Sequence, residues 1–357
     1  MHYGPGYDMN KGGLLSMKHA KKFCCWLLVI MCLFILLPTG SAYAKGISGG
    51  ANSTDIIMEK ILDTLGDPLY TTTYKHLSEG NLISNPEISD YSKALQSILV
   101  GLGQSLTVDG NAGDQTFAAV HNAQKVLGKP QSDTVDASLF EDLLKCLYIV
   151  RQEKAADEQK LSRSAEEESN ILLKTMDLQK YEYLAGLAFW IRGEFYDASV
   201  HFEVCGRDDA DALVNACKQP WPATGILYQN PNYYAQDTHL IIQVDSRDPA
   251  YAGLYKIVAQ NGDTAANLFI AGASAADVWL PGGIYSLKEA TGKNWYGNRD
   301  LFGADASYET MLFYEFEGQN DLTYLESGYE WIITVNISQA NPEGSNVGSQ
   351  WTDYGSF

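Results

Sequence analysis

The spacing of the apolar residues changes once along this chain, and that change constrains the fold more than any other feature. Up to Pro220-Trp221-Pro222, apolar residues recur at helical spacing, as on the buried face of an α-helix. Beyond this boundary they alternate with polar residues in short runs, which is typical of β-strands. The sequence therefore predicts a multidomain α plus β protein with an N-terminal three-helix domain, a helical hairpin spacer and a C-terminal antiparallel β-sandwich.

The N-terminus has the pattern of a secretory leader. Lysines at positions 18, 21 and 22 precede an apolar run over residues 23–37, and Ser41-Ala42-Tyr43-Ala44 follows it. This order predicts a signal peptide over residues 1–44 that is cleaved after Ala44. The run is shorter than the ~20 residues of a spanning helix, which favours cleavage over an uncleaved anchor. We expect a secreted or cell-wall-associated protein with no stable membrane anchor after cleavage.

The charge balance limits the partners. The chain has 25 Lys and Arg against 44 Asp and Glu, for a net charge of −19. Nucleic acid is excluded because its phosphates require a basic surface. We expect partners that are neutral or cationic, or that bind through stacking and hydrogen bonds.

Three cysteines remain after the predicted leader: Cys146, Cys205 and Cys217. An odd number cannot pair fully within one chain. Two alternatives stay open, a Cys205–Cys217 bridge and three buried thiols that act as small hydrophobic side chains.

The residues after the leader predict a linker over 45–73 that contains a short helix at 55–65, and Pro68 is expected to end that helical unit. Residues 74–148 predict three short helices. Asp90, Gly113 or Asp114, and Asp136 are the expected N-caps.

These helices carry an ordered motif. It consists of Leu95-Gln96, Val108-Asp109-Gly110, Gly113, Thr116, Ala119-Val120 and Gln124, and it is echoed by Val135, Phe140 and Leu143. Residues 74–145 resemble the peptidoglycan-binding domain that accompanies cell-wall hydrolases, with Ala112 and Ala123 where that family has aromatic residues. The resemblance implies a three-helix fold and binding to peptidoglycan or another cell-wall glycan.

The loop at Asp109 is the candidate site of this domain. As a calcium loop it fails, because Asp114 stands where glycine is required and Val120 stands where a bidentate Glu belongs. We therefore expect neither metal nor cofactor. The candidate ligand contacts are Asp109, Asn111 and Thr116 on the exposed rim. Gln124 is expected to bond the backbone of the Asp109–Asp114 turn first and a ligand second.

Residues 151–170 are charged on all sides, which predicts a solvated helical linker over 149–175. In residues 176–222, the spacing of Gly193, Phe195, Ala198 and Phe202 resembles a tetratricopeptide-type hairpin over 180–218. Since one copy does not form a solenoid, a spacer is favoured over a peptide groove.

The C-terminal part, residues 223–340, predicts a β-sandwich. Seven strands are expected, at 239–244, 254–259, 267–272, 277–281, 284–290, 310–316 and 330–337. Gln260-Asn261-Gly262-Asp263 and Pro281-Gly282-Gly283 are the expected hairpin turns. The tail over 341–357 has the composition of a disordered segment.

A long loop between two of these strands is rich in aromatic and polar residues. Trp295, Tyr296, Asn298 and Arg299 could stack on and bond to a carbohydrate or a protein partner. Alternatively, Trp295 and Tyr296 fold back over the core. The pattern leaves both interpretations open.

These features favour an exported, non-catalytic cell-envelope protein that binds peptidoglycan and displays a β-rich interaction module. The alternative is a wall hydrolase or modifying enzyme with an unrecognised catalytic centre in the C-terminal module. A third interpretation is a scaffold domain kept for protein contacts. The histidines are scattered, without the spacing of a HExxH metal motif, which favours the non-catalytic interpretation.

Overall fold

The computed structural model describes residues 53–313, 321–336, 347–351 and 357, and the predicted signal peptide lies outside this range. The described protein is mixed α and β. Its ten helices are α1 (Ser53–Leu65), α2 (Pro68–Ser78), α3 (Asp90–Gly101), α4 (Asp114–Val126), α5 (Ala137–Gln159), α6 (Arg163–Ser169), α7 (Ile171–Thr175), α8 (Leu178–Ile191), α9 (Phe195–Val204) and α10 (Ala210–Cys217).

Two short antiparallel strand pairs connect the first helices. β1 (Ile83–Ser84) pairs with β4 (Thr134–Val135), and β2 (Glu87–Ile88) pairs with β3 (Asn111–Ala112). The predicted caps of α4 and α5 are confirmed at Gly113 and Asp136. The cap of α3 is Ser89 and not Asp90, because the Ser92 N–H donates to the Ser89 hydroxyl at 3.0 Å.

α1 ends at Leu65 as predicted, but Pro68 begins a further helix inside the predicted linker. Proline is favoured in the first turn because that N–H has no helical partner, and the Asp67 carboxylate caps the same turn. Three consecutive threonines weaken the helical signal of α2 in the sequence. The helix forms because Tyr70 and Leu77 are buried.

One apolar cluster, the helical core, joins these helices. It includes Ile61 and Leu65 of α1, Tyr70 of α2, the inner faces of α3 to α5, and Ile191 of α8. The predicted 45–73 linker is therefore packed structure over its described part. A fragment limited to α3, α4 and α5 would lack the apolar side chains that α1, α2 and α8 contribute to this core.

The charged segment was predicted to be a solvated linker, and this is wrong in part. α5 continues unbroken to Gln159 and buries Tyr148, Ile149 and Val150. Asn170 is fully buried; its side-chain oxygen accepts the Leu172 N–H and its amide donates to the Tyr181 hydroxyl. Because Asn170 is polar, its burial does not produce the apolar periodicity from which a buried helix is predicted.

α8 and α9 form the predicted helical hairpin, and Gly193 turns the chain with φ of 74°. Leu187 and Phe189 of α8 pack with Phe202 of α9, and an apolar cluster forms there. Cys146, Cys205 and Cys217 are buried free thiols, so the second of the two cysteine alternatives is the one observed.

The C-terminal part contains all seven predicted strands and three more. They are β5 (Gly225–Gln229), β6 (Thr238–Ser246), β7 (Ala252–Ala259), β8 (Thr264–Ala271), β9 (Ala275–Leu280), β10 (Gly283–Gly292), β11 (Ser307–Phe313), β12 (Thr323–Leu325), β13 (Glu330–Asn336) and β14 (Val347–Trp351). The larger sheet has the order β14-β11-β10-β7-β8-β5 with β12 beside β10, and the smaller has the order β13-β6-β9.

Both sheets contribute to one apolar cluster, the sandwich core, which contains Leu240 and Ile242 of the smaller sheet and Ile257 and Leu268 of the larger. The sheets are antiparallel except for the parallel pair β6–β13, which corrects the prediction of a wholly antiparallel sandwich. β6 and β13 are distant in sequence, so no local turn signal fixes their relative direction.

Two further expectations differ from the structure. Gln260–Asp263 closes the β7–β8 hairpin as predicted, but Pro281–Gly283 connects β9 to β10, which lie in different sheets. The predicted disordered tail contains β14, which pairs with β11 and satisfies hydrogen-bonding groups at its edge. Residues 341–346 and 352–356 lie outside the described residues.

Candidate functional site

The turn before α4 is held by one side chain from α3. Gln96 Oε1 accepts the backbone N–H groups of Asp109 at 3.1 Å and Gly110 at 2.8 Å. Gln96 Nε2 donates to the Asp109 carboxylate at 2.9 Å and to the Asn111 carbonyl at 3.0 Å. Gly110 has φ of 83°, a conformation that side chains disfavour. The turn is therefore fixed by a buried amide and a glycine.

The turn before α5 is held in the same way by Gln124. Its Oε1 accepts the Ser132 N–H at 3.0 Å, and its Nε2 donates to the Ser132 carbonyl at 3.2 Å. The prediction that Gln124 bonds the Asp109–Asp114 turn is therefore wrong. Each glutamine ties the turn that follows its own helix, and Gln96 serves the first turn.

The four candidate residues of this domain separate into two classes. Asp109 and Asn111 are exposed, as a ligand contact requires. Thr116 is 3% exposed and accepts a hydrogen bond from Gln96, and Gln124 is 2% exposed. Thr116 and Gln124 therefore support the turns from beneath, which corrects the expectation that Thr116 lies on the exposed rim.

The Asp109 carboxylate is ionised and oriented by its neighbours. The Asn111 N–H donates to it at 2.8 Å. This bond, followed by the bond from Gln96, lowers the pKa of Asp109. The carboxylate keeps acceptor capacity for further donors, since two oxygens can accept several hydrogen bonds.

Residues from the adjoining strands extend this surface, and the motif did not single them out. Ile88 lies opposite Asn111 in the β2–β3 pair and is 81% exposed. The Asn85 side-chain amide donates to the Asp114 carboxylate at 3.2 Å. We call this surface the turn face and define it by Asn85, Ile88, Asp109, Asn111 and Asp114. The exposure of Ile88 indicates a contact surface, and this exposure is visible only in the structure.

The aromatic residues of the long C-terminal loop are not a ligand platform. Trp295 is 3% exposed and Tyr296 is 7% exposed, so both rings fold back and are buried, although neither belongs to the sandwich core. The Trp295 ring lies edge-on to Phe269 at 5.3 Å and to Phe302 at 5.1 Å, above the larger sheet. Tyr296 packs instead with the cluster formed by α8 and α9. The loop therefore connects the helical hairpin to the sandwich.

One polar residue of that loop, Arg299, has the same connecting role. Arg299 pairs with Glu194, a buried carboxylate that also contacts Lys154 at 2.8 Å and Arg192 at 3.0 Å. Burial opposes ionisation of Glu194, but the bonds from Arg192 and Lys154 outweigh it and lower its pKa. Asn298 is exposed on the same loop. Arg299 is therefore a structural partner of the hairpin, contrary to its predicted role as a ligand contact.

The described residues contain no group of three or more His, Cys, Asp or Glu side chains arranged to hold a metal ion. Within the same residues, no helix is long and apolar enough to cross a membrane. No family model, curated protein or solved structure matches this chain.

Proposed function

We propose that this chain is an exported, non-catalytic cell-envelope protein that binds peptidoglycan or another wall glycan through the turn face. The observation that carries the proposal is the turn tied by Gln96, which holds Asp109 and Asn111 exposed beside Ile88. The predicted leader supports export. The helical hairpin acts as a spacer between this domain and a β-sandwich interaction module.

The chemistry of the turn face suits a saccharide. Sugar rings offer hydroxyl groups and apolar C–H faces. The Asp109 carboxylate accepts hydroxyl hydrogen bonds, and the Asn111 amide both donates and accepts. Ile88, which lies opposite Asn111, offers an apolar contact at the same place. Because buried bonds already fix the turn, little conformational entropy is lost on binding.

The charge of the turn face predicts how binding depends on salt. Asp109 and Asp114 are exposed and the whole chain carries −19, so an anionic wall would not attract it at long range. Binding would depend on short hydrogen bonds and on apolar contact. We therefore expect retention on the wall to change little with ionic strength.

Purified sacculi provide the test. Residues 45–357 are used whole, because the helical core extends from α1 to α8. We expect the chain to be retained on sacculi, and we expect the Ile88→Ala/Asn111→Ala double variant to lose at least about tenfold in affinity. Val204→Ala, another exposed apolar residue on α9, is the matched control.

Two results would contradict the proposal. If the double variant binds as well as the control, the turn face is not the wall-binding surface. If the intact chain clears wall material embedded in a zymogram gel, the protein is a hydrolase and the non-catalytic assignment fails.

A further inference from the structure

The smaller sheet has one buried side and one side that faces solvent. Along β6 and β9, buried and more accessible residues alternate: Leu240 and Val278 are buried, whereas Asp277 and Trp279 are exposed. We define the outer face of this sheet by His239, Ile241, Asp277, Trp279, Glu330 and Ile332.

The outer face is acidic and contains no fixed positive charge. None of β6, β9 and β13 has a lysine or an arginine. Asp277 and Glu330 are exposed on it, as is Asp245 further along β6. The larger sheet differs, since Lys256 and Lys288 are paired neighbours there. Charge complementarity therefore favours a cationic partner for the outer face.

Trp279 is the main apolar contact that this face offers. It is 43% exposed, although large aromatic side chains are usually buried. One side of its ring stacks on His239, with centroids 4.5 Å apart and planes 10° from parallel. This distance is close to the spacing between neighbouring strands, so the two rings stand side by side on β6 and β9. The second face of the indole is directed away from β6, and β9 is the last strand on that side of the described sheet.

His239 holds this arrangement rigid. Its Nε2 lies 2.9 Å from the Asp277 carboxylate and its Nδ1 lies 2.9 Å from the Glu330 carboxylate. Both ring nitrogens are therefore occupied, and the imidazole cannot rotate without losing two bonds. The carboxylates are fixed in turn, and each has a further oxygen that can accept a donor. A preorganised aromatic ring beside a fixed carboxylate is the result.

We propose that the outer face binds an arginine-bearing segment of a partner protein. A guanidinium group is planar and stacks on an indole face, which lysine does less well. The same group donates two parallel hydrogen bonds to a carboxylate. Trp279 and Asp277 offer these two contacts from one strand, and Ile332 at 56% exposure offers apolar surface to the rest of the segment.

The test uses two labelled peptides of equal length and charge, in which Ser alternates with Arg or with Lys. Their affinity for residues 45–357 is measured by fluorescence anisotropy at low and at physiological salt. We expect the Arg peptide to bind more tightly than the Lys peptide. We expect Trp279→Ala and Asp277→Asn each to weaken Arg-peptide binding by about fivefold or more.

Matched controls separate this site from general attraction to an acidic protein. Tyr324→Ala removes an exposed aromatic residue from β12, and Glu59→Gln removes an exposed charge from α1. Both should bind the Arg peptide like the parent chain. Trp279→Phe keeps an aromatic ring and should retain more binding than Trp279→Ala, which guards against loss through misfolding.

Three outcomes would overturn the proposal. The first is equal affinity for the Arg and Lys peptides. The second is an equal loss of Arg-peptide affinity in Glu59→Gln and in Asp277→Asn. The third is that the chain binds a neutral oligosaccharide of N-acetylglucosamine in place of the peptides, and that this binding depends on Trp279. The proposal is independent of wall binding, because Ile88→Ala/Asn111→Ala should leave peptide affinity unchanged.

Discussion

Gln96 and Asp109 are joined by hydrogen bonds in both directions. The amide oxygen of Gln96 accepts the Asp109 N–H at 3.1 Å, and its amide nitrogen donates to the Asp109 carboxylate at 2.9 Å. One side chain from α3 thus fixes both the backbone of the turn and its exposed acidic group. Support of the fold and presentation of the turn face depend on the same residue.

Replacing Gln96 with Leu should destabilise the protein strongly. The Asp109 and Gly110 N–H groups would lose their shared acceptor, and the Gly110 N–H is buried. We expect the free energy of unfolding to fall by about 3 kcal/mol, measured by urea denaturation. Gln131→Leu, at an exposed glutamine, should change it by less than about 0.5 kcal/mol. Equal denaturation midpoints for the two variants would refute the role given to Gln96.

The sequence predicts the helices and turns of this region better than it predicts which side chains bond. Gly113 and Asp136 act locally, as the N-caps of α4 and α5, so their roles could be predicted. Gln124 bonds Ser132 in the turn after its own helix, and the motif alone does not distinguish this turn from the one before α4. The motif places both glutamines but does not assign their turns.

The same limit applies to the C-terminal part. Alternation predicts β6 and β13 as strands, but their parallel pairing is a long-range choice. Trp295 and Tyr296 have the composition of a binding loop, yet they are buried because α8, α9 and the larger sheet leave apolar surface that needs cover. Trp279 lies in a strand whose residues alternate as in any half-buried strand, so the sequence does not show that this tryptophan is exposed. Exposure is decided by what packs above a residue.

Gly303 allows the sandwich to approach the hairpin closely. It has φ of 75°, and a Cβ at this position would collide with the ring of Tyr196 on α9. We expect Gly303→Ala to lower the free energy of unfolding by about 2–4 kcal/mol, through strain and overpacking together. Gly262→Ala is the control, because Gly262 also has positive φ but open space around it. A loss no larger than that of the control, in parallel thermal melts, would show that the contact with Tyr196 is not tight.

Asp300 makes the junction between hairpin and sandwich sensitive to pH. Its carboxylate accepts the Tyr196 N–H at 2.9 Å, and burial raises its pKa from 3.8 to about 6. A raised carboxyl pKa means that the folded state prefers the protonated form. This contribution to stability is complete below pH 3.8 and is lost as pH rises through about 6.

Asp300→Asn should remove that dependence, because asparagine keeps an oxygen for the Tyr196 N–H and does not titrate. The Tm of the variant relative to the parent should therefore rise between pH 4 and pH 7. A constant difference for Asp300→Asn would show that the carboxyl titrates normally in the folded protein.

His239 should titrate at a higher pH than a free imidazole. The bond to Asp277 raises its pKa most, burial lowers the pKa by less than this, and the bond to Glu330 raises it further. Since the pKa of His239 in the folded protein exceeds 6.5, the stabilisation is complete below pH 6.5 and is lost as pH rises through the folded value.

NMR titration of the His239 ring protons should show the raised pKa in the parent chain and a lower one in Asp277→Asn. Because Trp279 stacks on the same imidazole, its fluorescence should change over the same pH range, and the change should vanish in His239→Gln. Titration of His239 at the same pH in the parent and in Asp277→Asn would mean that the carboxylate does not hold the ring, and the rigid platform inferred for the outer face would then lack its support.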